Sequence, residues 1–123
     1  MIEKSIIDKI NNYHEENKNL ECEFESVDLD KVVFVASGFI TLAVMGHIKI
    51  TFENPSYFNF ELFGENGYFY SDDNKSFIEM VADKDEIKQC LKRDLAKDEN
   101  LFIINVVDKP IIICAENIKA EIN

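Results

Sequence analysis

Apolar residues at the start of the chain recur at helical steps. Ile2, Ile6, Ile10 and Tyr13 are spaced four, four and three apart, forming one stripe of an amphipathic helix predicted over Ile2 to about Asn17. The period then changes to two. Leu20, Cys22 and Phe24 alternate with Glu21, Glu23 and Glu25, which predicts a strand over Leu20 to Val27 with one buried and one wet face. Asp28 to Asp30 reads as a turn. Val32 to Ala36 is continuously apolar, Ser37-Gly38 interrupts it, and Phe39 to Val44 resumes, giving two strands or one strand bent at Gly38.

Met45-Gly46-His47 is expected to close a hairpin into the alternating strand Ile48 to Phe52. Asn54-Pro55 is expected to break the chain, because proline donates nothing to a ladder, and a new strand should follow from Tyr57 to Phe63. Gly64-Glu65-Asn66-Gly67 is turn chemistry before Tyr68-Phe69-Tyr70, the polar loop Ser71 to Ser76 and a short strand at Phe77 to Val81. Asp83 and Glu86 have the spacing of a capping box, and Ile87, Cys90, Leu91 and Leu95 follow at helical steps. They predict a second helix over Lys84 to Lys97. Leu101 to Val107 and Pro110 to Ile118 read as a terminal hairpin turning at Asp108-Lys109.

An order of helix, strands, helix, strands without regular βαβ alternation predicts the α+β class. The expected architecture is a mainly antiparallel sheet of about six to eight strands, with an N-terminal helix and one helix near residues 84–97. A chain of 123 residues with 46% hydrophobic residues is long enough to bury a core as a single domain, 1–123, and no linker or internal repeat divides it. The opening MIEKSIIDKI scatters charges among its isoleucines, unlike a signal peptide, and the longest apolar run, Val32 to Gly46, is shorter than a membrane span. These features imply a cytoplasmic location. Three widely separated cysteines, Cys22, Cys90 and Cys114, with no CxxC pair, fit reduced core thiols rather than a disulfide framework or a zinc site.

Charge narrows the choice of partner. A net charge of −11 with a single arginine argues against binding nucleic acid or an anionic membrane directly, since both require cations to replace condensed counterions. It favours encounter with something basic. Residues 15–30 hold seven carboxylates against Lys18 alone, a net charge of −6. On a strand, Glu21, Glu23 and Glu25 would form a row spaced by about 6.8 Å. Such a row could face a partner's lysines and arginines, or be only a solvated strand face.

Residues 57–70 hold seven of the 14 aromatic residues. Phe58, Phe60 and Leu62 should point into the core, leaving Tyr57, Asn59 and Glu61 on the other face, and tyrosines beside carboxylates make good interface anchors. The candidate partner-binding residues are therefore Glu21, Glu23, Glu25, Asp28, Asp30, Tyr57, Glu61, Tyr68 and Tyr70. No catalytic or metal-binding set is legible. Asp72-Asp73-Asn74 lacks the calcium-loop pattern and reads as a loop; His14 and His47 accompany no nucleophile motif; the four glycines form no phosphate loop.

The segment His47 to Phe63, HIKITFENPSYFNFELF, resembles a strand pair of some small acidic bacterial immunity proteins, which neutralise contact-dependent or polymorphic toxins. The resemblance implies a protein inhibitor of a cognate basic toxin, a nuclease by preference, that needs no cofactor and performs no catalysis. Two alternatives stand beside it. One is a phage-type acidic inhibitor or nucleic-acid mimic aimed at a defence protein. The other is a small enzyme or ligand-binding domain whose pocket would lie near His14, His47 or a cysteine.

Overall fold

Helix α1 spans Lys4–Glu16 because Ile7, Ile10, Tyr13 and His14 fall on one face and are buried there together. The stripe thus runs through Ile7, with Ile6 at its half-buried margin. The computed structural model describes residues 4–27, 31–40, 44–59, 68–107 and 109–122, with side chains at 4–22, 48–59, 70–107 and 109–122. Ile2, the Asp28 to Asp30 turn, the Gly64 to Gly67 turn and the end of the Tyr57 to Phe63 strand lie outside the described residues or run into that boundary.

The remaining elements are β1 (Glu21–Val27), β2 (Lys31–Ile40), β3 (Val44–Phe58), β4 (Tyr68–Tyr70), β5 (Ile78–Val81), α2 (Lys84–Leu91), β6 (Asn100–Ile104) and β7 (Ile111–Ile122). These strands form one sheet in the order β4-β1-β2-β3-β7-β6-β5, every neighbouring pair antiparallel. The fold is α+β, and β6 and β7 pair as the terminal hairpin, Ile104 opposite Ile111.

The two helices cover different faces of the sheet. Along β6, Phe102 and Ile104 enter a large cluster with Ile10, Ile50, Phe52 and Phe77 beneath α1. Leu101 and Ile103, which alternate with them along the strand, enter a smaller cluster with Ile87, Val81 and Cys114 beneath α2. Removing each large aliphatic or aromatic side chain from water in this way contributes about 1.5–3 kcal/mol.

Three expected breaks fall elsewhere. Met45-Gly46-His47 forms no turn: all three residues pair within β3, Gly46 opposite Gly38 and His47 opposite Ser37, and β2 continues through Gly38 without a shift of register. Asn54-Pro55 does not end the strand either. Among the described residues the β2 ladder runs as far as Lys31↔Glu53, and Pro55 stands beyond it, paired opposite Ala115 of β7. The register on the β7 side shifts between Pro55 and Tyr57, and Asn54 takes a left-handed φ of 51°. Helix α2 stops at Leu91 rather than near Lys97, because Lys92 turns left-handed and its N–H bonds back to the Lys88 carbonyl. Its start is as expected, with the Asp83 carboxylate accepting the N–H groups of Asp85 and Glu86 at 2.9 and 3.0 Å.

The sheet also bends back on itself. Ser71, just past β4, pairs with Val106, just past β6; the Val107 N–H donates to the Tyr70 carbonyl at 2.8 Å and the Asp72 N–H to the Asn105 carbonyl at 3.0 Å. At the opposite edge, the Asn11 carboxamide bonds both main-chain groups of Ile78 in β5, blocking that position from pairing with another chain.

Candidate functional site

Where β4 meets β1, the ladder sets Tyr70 opposite Glu21 and Tyr68 opposite Glu23. Directly opposed residues of an antiparallel pair share a face, with their Cβ atoms about 4.5–5.5 Å apart. The closing bridge extends this row. Ser71 opposite Val106 puts Tyr70 opposite Val107, so Glu21, Tyr70 and Val107 lie side by side across three adjacent stretches of backbone. Burial alternates accordingly. Leu20, Ser71 and Val106 point inward, whereas Tyr70 is 57% and Val107 52% exposed, and Glu21 is half-buried.

One carboxylate expected in this row, Glu25, and one tyrosine, Tyr57, are placed differently. The β1–β2 register shifts between Phe24 and Ser26, so Ser26, not Glu25, stands opposite Val33, the position the next acidic residue would have taken. Asp28, Asp30 and Glu61 lie outside the described residues. Tyr57 sits on β3, opposite Cys114, and packs half-buried into the cluster beneath α2, away from the Glu21 and Tyr70 row.

Behind the row lies a polar cluster that sequence reasoning did not find. His14 is buried on α1, and its Nε2 lies 2.9 Å from Asp73 Oδ1. The same carboxylate accepts the Ser71 hydroxyl at 2.9 Å and the Asn19 N–H at 3.1 Å, while Ser71 Oγ accepts the Leu20 N–H at 2.9 Å. Burial works to raise the Asp73 carboxyl, but the bonds from His14, Asn19 and Ser71 outweigh it and hold the group below the usual carboxylate range. Facing a carboxylate, His14 Nε2 is placed to donate, and Nδ1 is buried with no hydrogen-bond partner among the described residues. The cluster fastens the residue before Glu21 and the residue after Tyr70, so it fixes the two strand ends that carry the row. A signal for it was present, since His14 stands four residues after Ile10 on the apolar stripe and a buried ring nitrogen demands a partner.

A second fixed carboxylate lies near α2. Arg93 grips Glu99 with two bonds, Nη1 to Oε1 at 2.7 Å and Nη2 to Oε2 at 2.9 Å. The Ser56 hydroxyl and the Ala96 N–H also donate to Glu99. The Arg93 guanidinium, helped by the Ser56 and Ala96 donors, holds Glu99 down at about 2.

Neither carboxylate is tuned for proton transfer near neutral pH, which requires a group titrating in that range. The thiols are equally unsuited to attack: burial, reinforced by Glu99, pushes Cys114 up to about 12, and burial also raises Cys22 and Cys90. Among the described residues no three His, Cys, Asp or Glu side chains are grouped to hold a metal. A cleft of about 370 Å³ beside α2 and one of about 540 Å³ along α1 are lined by neither histidine nor cysteine. Among the described residues no helix is long and apolar enough to cross a membrane. Comparison with family models, characterised proteins and solved structures finds no match to this chain.

Proposed function

We propose that the protein is an immunity or antitoxin-like binder that neutralises a basic partner, a cognate toxin of the nuclease kind, by laying the outer face of β1 and β4 over the partner's active surface. It acts in the cytoplasm and needs no cofactor. The observation that carries this reading is the cross-strand register, which sets Glu21 and Glu23 beside Tyr70 and Tyr68 although nearly fifty positions separate them in sequence. Carboxylates in that position speed encounter with a cationic surface, and the exposed tyrosine supplies the apolar contact that slows release.

The test is capture of the product of the adjacent gene, followed by titration at rising salt. Reversing Glu21 and Glu23 together to lysine is expected to weaken binding at least tenfold at low salt and to flatten its salt dependence. Unchanged affinity and salt slope would remove this face as the binding site.

A further inference from the structure

The row of Glu21, Tyr70 and Val107 has the chemistry of a seat for one kind of side chain. We propose that its occupant is an arginine of the basic partner, the guanidinium stacked on the Tyr70 ring and paired with the Glu21 carboxylate, the aliphatic stem lying on Val107. This inference rests on the binder reading above and names what the partner must present.

Three observations carry it. The first is the juxtaposition itself: an aromatic ring 57% exposed, with a carboxylate on the neighbouring strand position on one side and an aliphatic side chain 52% exposed on the other. A planar guanidinium combines a face that stacks on a ring with an edge that pairs with a carboxylate, and it sheds water more readily than an ammonium; lysine offers only a compact, strongly hydrated point charge. The second is that the protein cannot fill the seat from within. Its sole arginine, Arg93, is held by both oxygens of Glu99 beside α2. The third is rigidity. Tyr70 is tied on one side by the Val107 N–H and followed by Ser71, whose hydroxyl is bonded to Asp73 and whose N–H donates to the Leu20 carbonyl. The backbone under the ring is therefore already ordered, and little of the contact energy is lost in fixing it.

Arginine selectivity is read with two synthetic glycine–serine peptides that carry equal numbers of arginines or of lysines, titrated into the intact protein by calorimetry at low salt. The arginine peptide is expected to bind about 2- to 5-fold more tightly. Tyr70→Leu keeps the apolar area but removes the ring face, and should bring the two peptides to equal affinity. Val107→Ser should weaken the arginine peptide about 2-fold. Equal binding of both peptides to the unaltered protein, or a preference that survives Tyr70→Leu, overturns the proposal. If both peptides bind equally yet the Glu21 and Glu23 reversal still abolishes capture of the neighbouring gene's product, the arginine seat fails while the binder reading stands. If that reversal leaves capture unchanged and neither peptide binds, both fail.

Discussion

The α1 side and the α2 side of the sheet are built from the same parts in different proportions. Each combines a hydrophobic cluster with one carboxylate fixed by several donors. Beneath α1 the cluster is broad, and its carboxylate, Asp73, is fixed by a buried histidine, a hydroxyl and a backbone N–H. Beneath α2 the cluster is small, edged by half-buried residues such as Tyr57 and Cys90, and its carboxylate, Glu99, is fixed chiefly by an arginine whose side chain is 43% exposed. The difference assigns them different work. The α1 side carries stability and positions the strand ends beside the proposed binding row, while the α2 side secures a helix to the far end of the sheet.

Neighbouring residues of β6 face opposite clusters. Phe102 and Leu101 are both fully buried. Phe102→Ala should cost about 4 kcal/mol, because the broad cluster around it cannot collapse into the space. Leu101→Ala should cost about 2–3 kcal/mol, its half-buried surroundings relaxing more easily. Urea denaturation of the two variants measures both. Equal losses, or a larger one at Leu101, would mean that the α2 side is as tightly constrained as the α1 side.

The carboxylates sharpen the contrast. In Asp73→Asn an NH2 group must face donors from His14, Ser71 or Asn19, leaving buried polar groups unsatisfied at a cost of about 2–3 kcal/mol. Glu99→Gln should cost less, about 1–2 kcal/mol: Glu99 itself is only 6% exposed, but the Arg93 side chain, at 43%, can turn to water once the pair is broken. The two also set the acid response. Both groups titrate lower in the folded chain than their ordinary values of 3.8 and 4.5, so their stabilisation is fully present above those values and is lost as pH falls, for Glu99 through about 2. Between pH 4.5 and 2 the Glu99→Gln variant should therefore lose stability less steeply than the unaltered protein. Parallel slopes would show that Glu99 is not held as its donors imply.

What could be read from the chain follows the same division. Period-four and period-two patterns gave α1 and the strands, because those elements bury one face and the apolar residues mark it. Asp83 marked the start of α2 through a local capping bond, needing nothing beyond three residues of sequence. The His14 and Asp73 contact spans 59 positions, and a polar residue in a loop carries no sign of a distant partner. The same holds for the closing bridge between Ser71 and Val106, which turns Val107 from the end of a hairpin strand into a neighbour of Tyr70. Gly46 and Pro55 misled for a different reason. Each permits a break without requiring one, and neighbouring strands decided the outcome.

The two sides also differ in how they accommodate left-handed backbone. Asn19, between α1 and β1, has φ 58°, and Lys92, at the end of α2, has φ 63°. Asparagine tolerates this region, whereas a lysine Cβ crowds the neighbouring carbonyl. Glycine at position 92 would relieve that crowding while keeping the N–H bond to Lys88, which any residue but proline can donate. Set against the added freedom glycine brings to the unfolded chain, Lys92→Gly should stabilise the protein by about 0.5 kcal/mol, measurable as a raised urea midpoint. Asn19→Gly gains less from the backbone and should change stability by no more than about 0.3 kcal/mol, its N–H still bonded to Asp73. If Lys92→Gly destabilises instead, the stem of Lys92 or the placement of Arg93 beside it contributes more to the α2 side than its exposure indicates, and that side is better secured than the comparison with α1 holds.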